Sequence, residues 1–168
     1  MPNAPSGCVT KGGVMPAFTE TTDHNVDALI TAGEVAFSAG ETAKAEAFFL
    51  EALKSAPLNG VAMNNLGVLM HHRGNLVEAE RYLLRSALFS ENPADVLVNL
   101  AAVAQAQAQL TAATEYLRMA ILSAGETPRI LEQMASLAEV MGDATNAAVL
   151  RAKSMALSEA SDAVEGGS

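Results

Sequence analysis

Cysteine occurs once, at Cys8, tryptophan is absent, and aromatic residues make up only 4% of the chain. A single cysteine excludes an internal disulfide, and Cys8, with no catalytic partner in the sequence, reads as a free thiol rather than a nucleophile. Basic residues are scarce: ten Lys and Arg against nineteen Asp and Glu give a formal net charge of −9. Phosphate binding needs clustered Lys and Arg, so this balance argues against a nucleic-acid partner. No run approaches the roughly 18 apolar residues that cross a bilayer. Residues 1–7 supply neither the charged start nor the apolar stretch of an export signal, so the expectation is a soluble, cytoplasmic protein with no membrane span.

What the chain does have is hydrophobic content of 50%, made with few aromatic rings. One domain with a continuous core fits the length, and its stability must come from close helix packing. The apolar residues are periodic. Gly33, Gly67, Ala101 and Ala135 recur every 34 residues, as do Gly40, Gly74, Ala108 and Gly142, and Ala45, Ala79, Ala113 and Ala147. Ala52, Ser86, Ala120 and Ser154 keep the same period, and Leu29, Met63, Leu97 and Leu131 hold a large apolar slot. A fixed period of this size signals stacked supersecondary units. Small residues recur where helices approach closely and large ones where the gap must be filled, which is the pattern of a helical hairpin.

Gly40, Gly74 and Gly142 fall where a first helix should close. Asn75 with Glu78 resembles a capping box, Asp143 is placed to cap the last helix, and Asn92-Pro93 and Thr127-Pro128 set a cap before a first-turn proline. The spacing predicts helices near 25–39, 42–56, 60–73, 76–90, 93–107, 110–124, 128–141 and 144–157. Residues 1–24, rich in Pro, Gly, Ser and Thr, and the acidic segment 159–168 are expected to be disordered.

The runs Asn64-Asn65-Leu66-Gly67, Gly74-Asn75-Leu76-Val77-Glu78-Ala79-Glu80-Arg81-Tyr82-Leu83 and Ala45-Glu46-Ala47-Phe48-Phe49-Leu50-Glu51-Ala52-Leu53-Lys54-Ser55-Ala56-Pro57 resemble tetratricopeptide repeats. The resemblance covers about residues 26–159 and implies an all-α fold, a right-handed α-solenoid of four stacked antiparallel hairpins. Its repeats are 26–59, 60–93, 94–127 and 128–158. Departures include Ala108 for the turn glycine, Arg151 in the slot of Phe49, Leu83 and Leu117, and a unit-ending proline only at Pro57. The fourth hairpin is thus expected to be a cap or to fray.

The family binds partners on the inner surface formed by the first helix of each hairpin. The matching inward positions here are Asp27, Ile30, Thr31, Glu34 and Phe37; Val61, Asn64, Asn65, Val68 and His71; Asp95, Val98, Asn99, Ala102 and Gln105; and Arg129, Glu132, Gln133, Ser136 and Glu139. From these, Thr31, Glu34, Phe37, Asn64, Asn65, Val68, His71, Asp95, Val98, Asn99 and Gln133 form the candidate peptide-binding groove. Thr31, Asn65, Asn99 and Gln133 fall in one register, a polar ladder suited either to a peptide backbone or to bonds between neighbouring hairpins. Phe37, Val68 and Val98 are expected to supply apolar contact, and Glu34, Asp95 and Glu139 to select positive charge. Adaptors in the family that grip a chaperone's C-terminal carboxylate carry basic and amide residues at the places of Ile30, Glu34, Asn65, Asp95 and Asn99; only Asn65 agrees.

No catalytic constellation stands out. His71 and His72 are adjacent and diverge by about 100° on a helix, so they make no joint chelate, and His24 stands alone. Gly7-Cys8-Val9-Thr10-Lys11-Gly12-Gly13 lacks the residue order of a phosphate loop. No metal or cofactor is expected. The reading is a non-enzymatic protein-interaction module, a scaffold or adaptor for a basic or amide-rich segment. The alternatives are a small acidic secretion-type chaperone and a homo-oligomeric scaffold.

Overall fold

The turn residues end the first helix of each hairpin where the 34-residue period places them. Gly40, Gly74 and Gly142 take φ of 76°, 77° and 82°, and Ala108 takes the same left-handed conformation at φ 60°. At each turn the next N–H reaches back five residues: Glu41 to the Ala36 carbonyl, Asn75 to Met70, Gln109 to Ala104 and Asp143 to Ala138, all at 2.8–2.9 Å. This closure satisfies carbonyls that the helix end would leave without partners.

The structure, a computed structural model, describes residues 20–90 and 92–165, with side chains from 25–90 and 92–160. The described residues form eight helices: α1 (Glu20–Ser38), α2 (Thr42–Ser55), α3 (Gly60–His72), α4 (Leu76–Phe89), α5 (Ala94–Ala106), α6 (Leu110–Ala124), α7 (Pro128–Val140) and α8 (Ala144–Glu165). They pair as α1/α2, α3/α4, α5/α6 and α7/α8, and each hairpin stacks on the next through α2/α3, α4/α5 and α6/α7. This is an all-α solenoid.

The small and large columns meet as knobs and hollows. A Cβ placed on Gly67 would lie 2.5 Å from Leu83 Cγ, and one on Gly33 would strike the Phe49 ring, so the two helices of these hairpins approach with no room for a side chain. Phe49, Leu66, Leu83, Leu100 and Leu117 are buried in one continuous core reaching from Ala36 to Leu137. A cluster of Val26, Ile30, Ala52 and Ala62 closes the first end, and Ala135, Ala138 and Ala147 the last. Where the fourth column carries serine, the hydroxyl crosses the hairpin: Ser86 donates to the Gly60 carbonyl at 2.7 Å and Ser154 to that of Pro128 at 3.1 Å.

Three local expectations need correction. The capping box at Asn75 and Glu78 is not made; Asn75 accepts no cap bond, and Glu78 is held by Arg81 at 2.5 Å. Asn59, by contrast, caps α3 by accepting from Ala62 N at 2.8 Å. Helix α1 starts at Glu20 within the flank expected to be disordered, and α8 runs past 157 to Glu165. Residues 158–165 contain neither Gly nor Pro, and Ala and Glu favour helix, so the first breaker is Gly166. Cys8, the Gly7–Gly13 segment, the His24 side chain and residues 166–168 lie outside the described structure.

Candidate functional site

The first helices are neighbours of one another: α1 touches α3, α3 touches α5 and α5 touches α7, whereas no such contact joins α2, α4, α6 and α8 among the described residues. The first helices therefore form a shared inner layer, and the 34-residue period brings their inward positions into register across it.

The candidate residues are tied together by bonds between adjacent hairpins. Asn65 Nδ2 donates to Glu34 Oε1 at 2.9 Å, joining α3 to α1. Asn99 Nδ2 donates to Asn64 Oδ1 at 2.8 Å, joining α5 to α3, while Asn99 Oδ1 accepts from Arg129 Nη2 at 2.6 Å. Arg129 also pairs with Asp95 at 2.8 Å. Farther along, Gln133 Nε2 donates to Gln105 Oε1, and Gln105 Nε2 donates to Ser136 Oγ, both at 3.0 Å. Three members of the ladder thus link hairpins. Thr31 does not; its hydroxyl donates to the Asp27 carbonyl of its own helix at 2.9 Å.

The apolar members divide. Phe37 is half-buried and meets His72 edge to face, with centroids 5.6 Å apart at 83°. Val68 is half-buried and keeps accessible surface. Val98 is only 4% exposed and belongs to the core, so it offers no groove contact.

The charge pattern is also quieter than the sequence suggests. Asp95 is offset by Arg129, and Arg151, standing in an apolar column, turns to Glu139 and approaches Glu132 at 3.8 Å. The hydrogen bond from Arg151 holds the Glu139 carboxyl below its ordinary range. Glu34, hydrogen-bonded among the described residues to a neutral amide, and the exposed Asp27 leave the described α1 end the more acidic. His71 is half-buried, and burial, followed by the charge of His72, pushes its pKa below the ordinary 6.5.

Two recesses open along this layer. One of about 370 Å³ is lined by His71, Ala102, Gln105, Gln133, Ser136 and Val140. The other, of about 210 Å³, lies between Val61, Asn64, Ser90, Asn92 and Asp95. The surface thus presents amides, a half-buried imidazole and paired charges, groups that bind by hydrogen bonding. Arg129 is one of the inward positions with no role of its own in the sequence pattern; its place 34 residues after Asp95 is the signal that the two side chains meet.

Residues 30–96 match the sequence model of the tetratricopeptide repeat. Comparison with curated proteins gives no match. Among solved structures, the chain is similar to MamA, at 18% identity and a TM-score of 0.66 with 84% of each chain covered. It is similar to PilW, a widely conserved type IV pilus biogenesis factor, at 20% identity and a TM-score of 0.73, covering 84% of this chain and 64% of that one. An O-GlcNAc transferase mutant of Thermobaculum terrenum aligns at 23% identity and a TM-score of 0.68 over 72% of this chain, which spans only 23% of the transferase. At these identities the likeness is one of fold. Residues 30–96 thus carry the tetratricopeptide-repeat sequence, and the helical-hairpin fold that runs through all four units is similar to that of these solved structures.

Proposed function

We propose that this chain is a non-enzymatic interaction module whose inner layer holds an extended segment of a partner protein. The observation that carries the reading is the set of inward amides on successive first helices, with Asn65, Asn99 and Gln133 in one register and Asn64 beside Asn65. Each amide makes a bond between hairpins and, with two N–H groups and two lone pairs on oxygen, retains capacity for a ligand backbone. Phe37 and Val68 supply apolar contact beside them. The segment is basic or amide-rich where it meets Glu34 and Asp27, since the other groove carboxylates already have arginine partners.

The test is affinity capture from native lysate with the unmodified chain and an Asn65→Ala/Asn99→Ala/Glu34→Lys variant, followed by affinity measurement on the partner retained. Affinity should fall by about tenfold or more, the equivalent of about 1.4 kcal/mol. Because these side chains also join hairpins, helicity and melting temperature are measured in parallel. Equal affinity in a folded variant removes the groove from the account.

A further inference from the structure

A cavity of about 230 Å³ lies between the third and fourth hairpins, against Thr114 and Leu117 of α6, Met134, Leu137 and Met141 at α7 and its C-terminal end, and Leu150 of α8. Asp143 and Asn146 stand at its rim. It is distinct from the groove, since the groove residues of α7 are Arg129, Gln133 and Ser136.

The two earlier hairpin interfaces show what occupies this place when it is filled. Moving back by 34 residues, Thr114 becomes Glu80 and Glu46, Met141 becomes Gln107 and Arg73, and Leu150 becomes Tyr116 and Tyr82. At the first interface Arg73 pairs with Glu46 at 2.5 Å, and at the second Gln107 donates to Glu80 at 3.2 Å. Beside these bridges Tyr82 and Tyr116 pack half-buried against the core. Burial, followed by the Glu80 charge, pushes the Tyr116 hydroxyl pKa above its ordinary range, consistent with the ring lying beneath the bridge. At the third interface both the polar bridge and the ring are missing. Thr114 and Met141 carry no complementary charges, and Leu150 stops short of a tyrosine's reach.

We infer that this cavity is a socket for a tyrosine side chain presented by a partner protein, set where the chain's own Tyr116 sits one repeat earlier. The size fits: an apolar cavity of roughly 150 Å³ takes up benzene. The chemistry also fits, because the thioethers of Met134 and Met141 make favourable contacts with aromatic rings. Asp143 offers a hydroxyl acceptor, as one of its oxygens accepts from Asn146 N at 3.0 Å and its carboxylate has further lone pairs. The socket does not depend on the groove and would stand if the groove variant bound normally.

The test uses the full chain and two probes, p-cresol, which is the tyrosine side chain alone, and N-acetyl-tyrosine amide, which carries it on a backbone. Methyl NMR titration should give saturable shifts for both probes at Leu117, Met134, Leu137, Met141 and Leu150, with none at Leu66 or Leu100 in the filled interfaces. Leu150→Tyr should weaken both probes about tenfold or more by occupying the space itself. Thr114→Glu/Met141→Arg restores the bridge of the first interface and provides a second closure if Leu150→Tyr does not fold. Shifts spread over all three interfaces, or unchanged affinity in a folded closure variant, would overturn the socket. Binding of p-cresol without the capped tyrosine would overturn a partner side chain as its occupant.

Discussion

Ala108 is the residue most at odds with its local conformation. Its φ of 60° is one that glycine adopts at the equivalent turns, and an L-residue there carries a cost of roughly 1–2 kcal/mol. The side chain is exposed, so its removal loses no packing. Ala108→Gly should stabilise the chain by about 1 kcal/mol and raise its melting temperature by about 2–4 °C; calorimetry showing a decrease would refute the strain. His71 supplies a pH effect of definite sign. Its folded pKa is below 6.5, so as pH falls through 6.5 the unfolded chain takes up the proton first. The associated stability is complete above that value and is lost as pH drops towards the folded pKa. Denaturant unfolding between pH 7 and 5 should therefore be less pH-dependent in His71→Gln, and an NMR titration midpoint for His71 at or above 6.5 would contradict it.

At the scale of the helix, the two kinds of start differ in energy. Thr127 accepts from Ile130 N at 3.3 Å with Pro128 behind it, whereas Asn75 makes no side-chain cap and lies 3.9 Å from the Met70 sulfur. Thr127→Ala should cost about 1 kcal/mol and Asn75→Ala a few tenths, read from denaturant midpoints; equal losses would mean that Asn75 caps α4 in solution. The contrast also shows what was legible. Helix positions followed from Gly40, Gly74 and Gly142, because a left-handed closure is a local demand written in one residue. The capping box at Asn75 was not, because the Asn75 N–H closes the preceding turn on the Met70 carbonyl, its side-chain amide faces the Met70 sulfur, and the Glu78 carboxylate is held by Arg81 three residues away. The inward positions of the groove followed from the period, but the burial of Val98 and the pairing of Asp95 depend on which helices flank them. Helix α8 outruns the period because the repeat ends near residue 157 while helix-favouring residues continue to Glu165.

At the scale of the whole molecule, the stack is held unevenly. The middle hairpins share a core of large side chains, including Leu66, Leu83, Leu100 and Leu117, while the contact between α7 and α8 centres on Ala135, Ala138 and Ala147 with Leu150 half-buried beside them. Alanines bury little area, and burial contributes about 25 cal/mol per Å². The Arg151 column adds only partly exposed ion pairs, which contribute little. Repeat arrays couple mainly through nearest neighbours, so the fourth hairpin should open without the rest. Native-state hydrogen exchange is expected to show protection in α8 at least about tenfold below that in α3 and α5. Leu150→Tyr, by filling the cavity beneath α8, should narrow that gap from the α8 side while leaving α3 unchanged. Uniform protection along all eight helices would mean that the solenoid opens as one unit and that its last hairpin is no weaker than its centre.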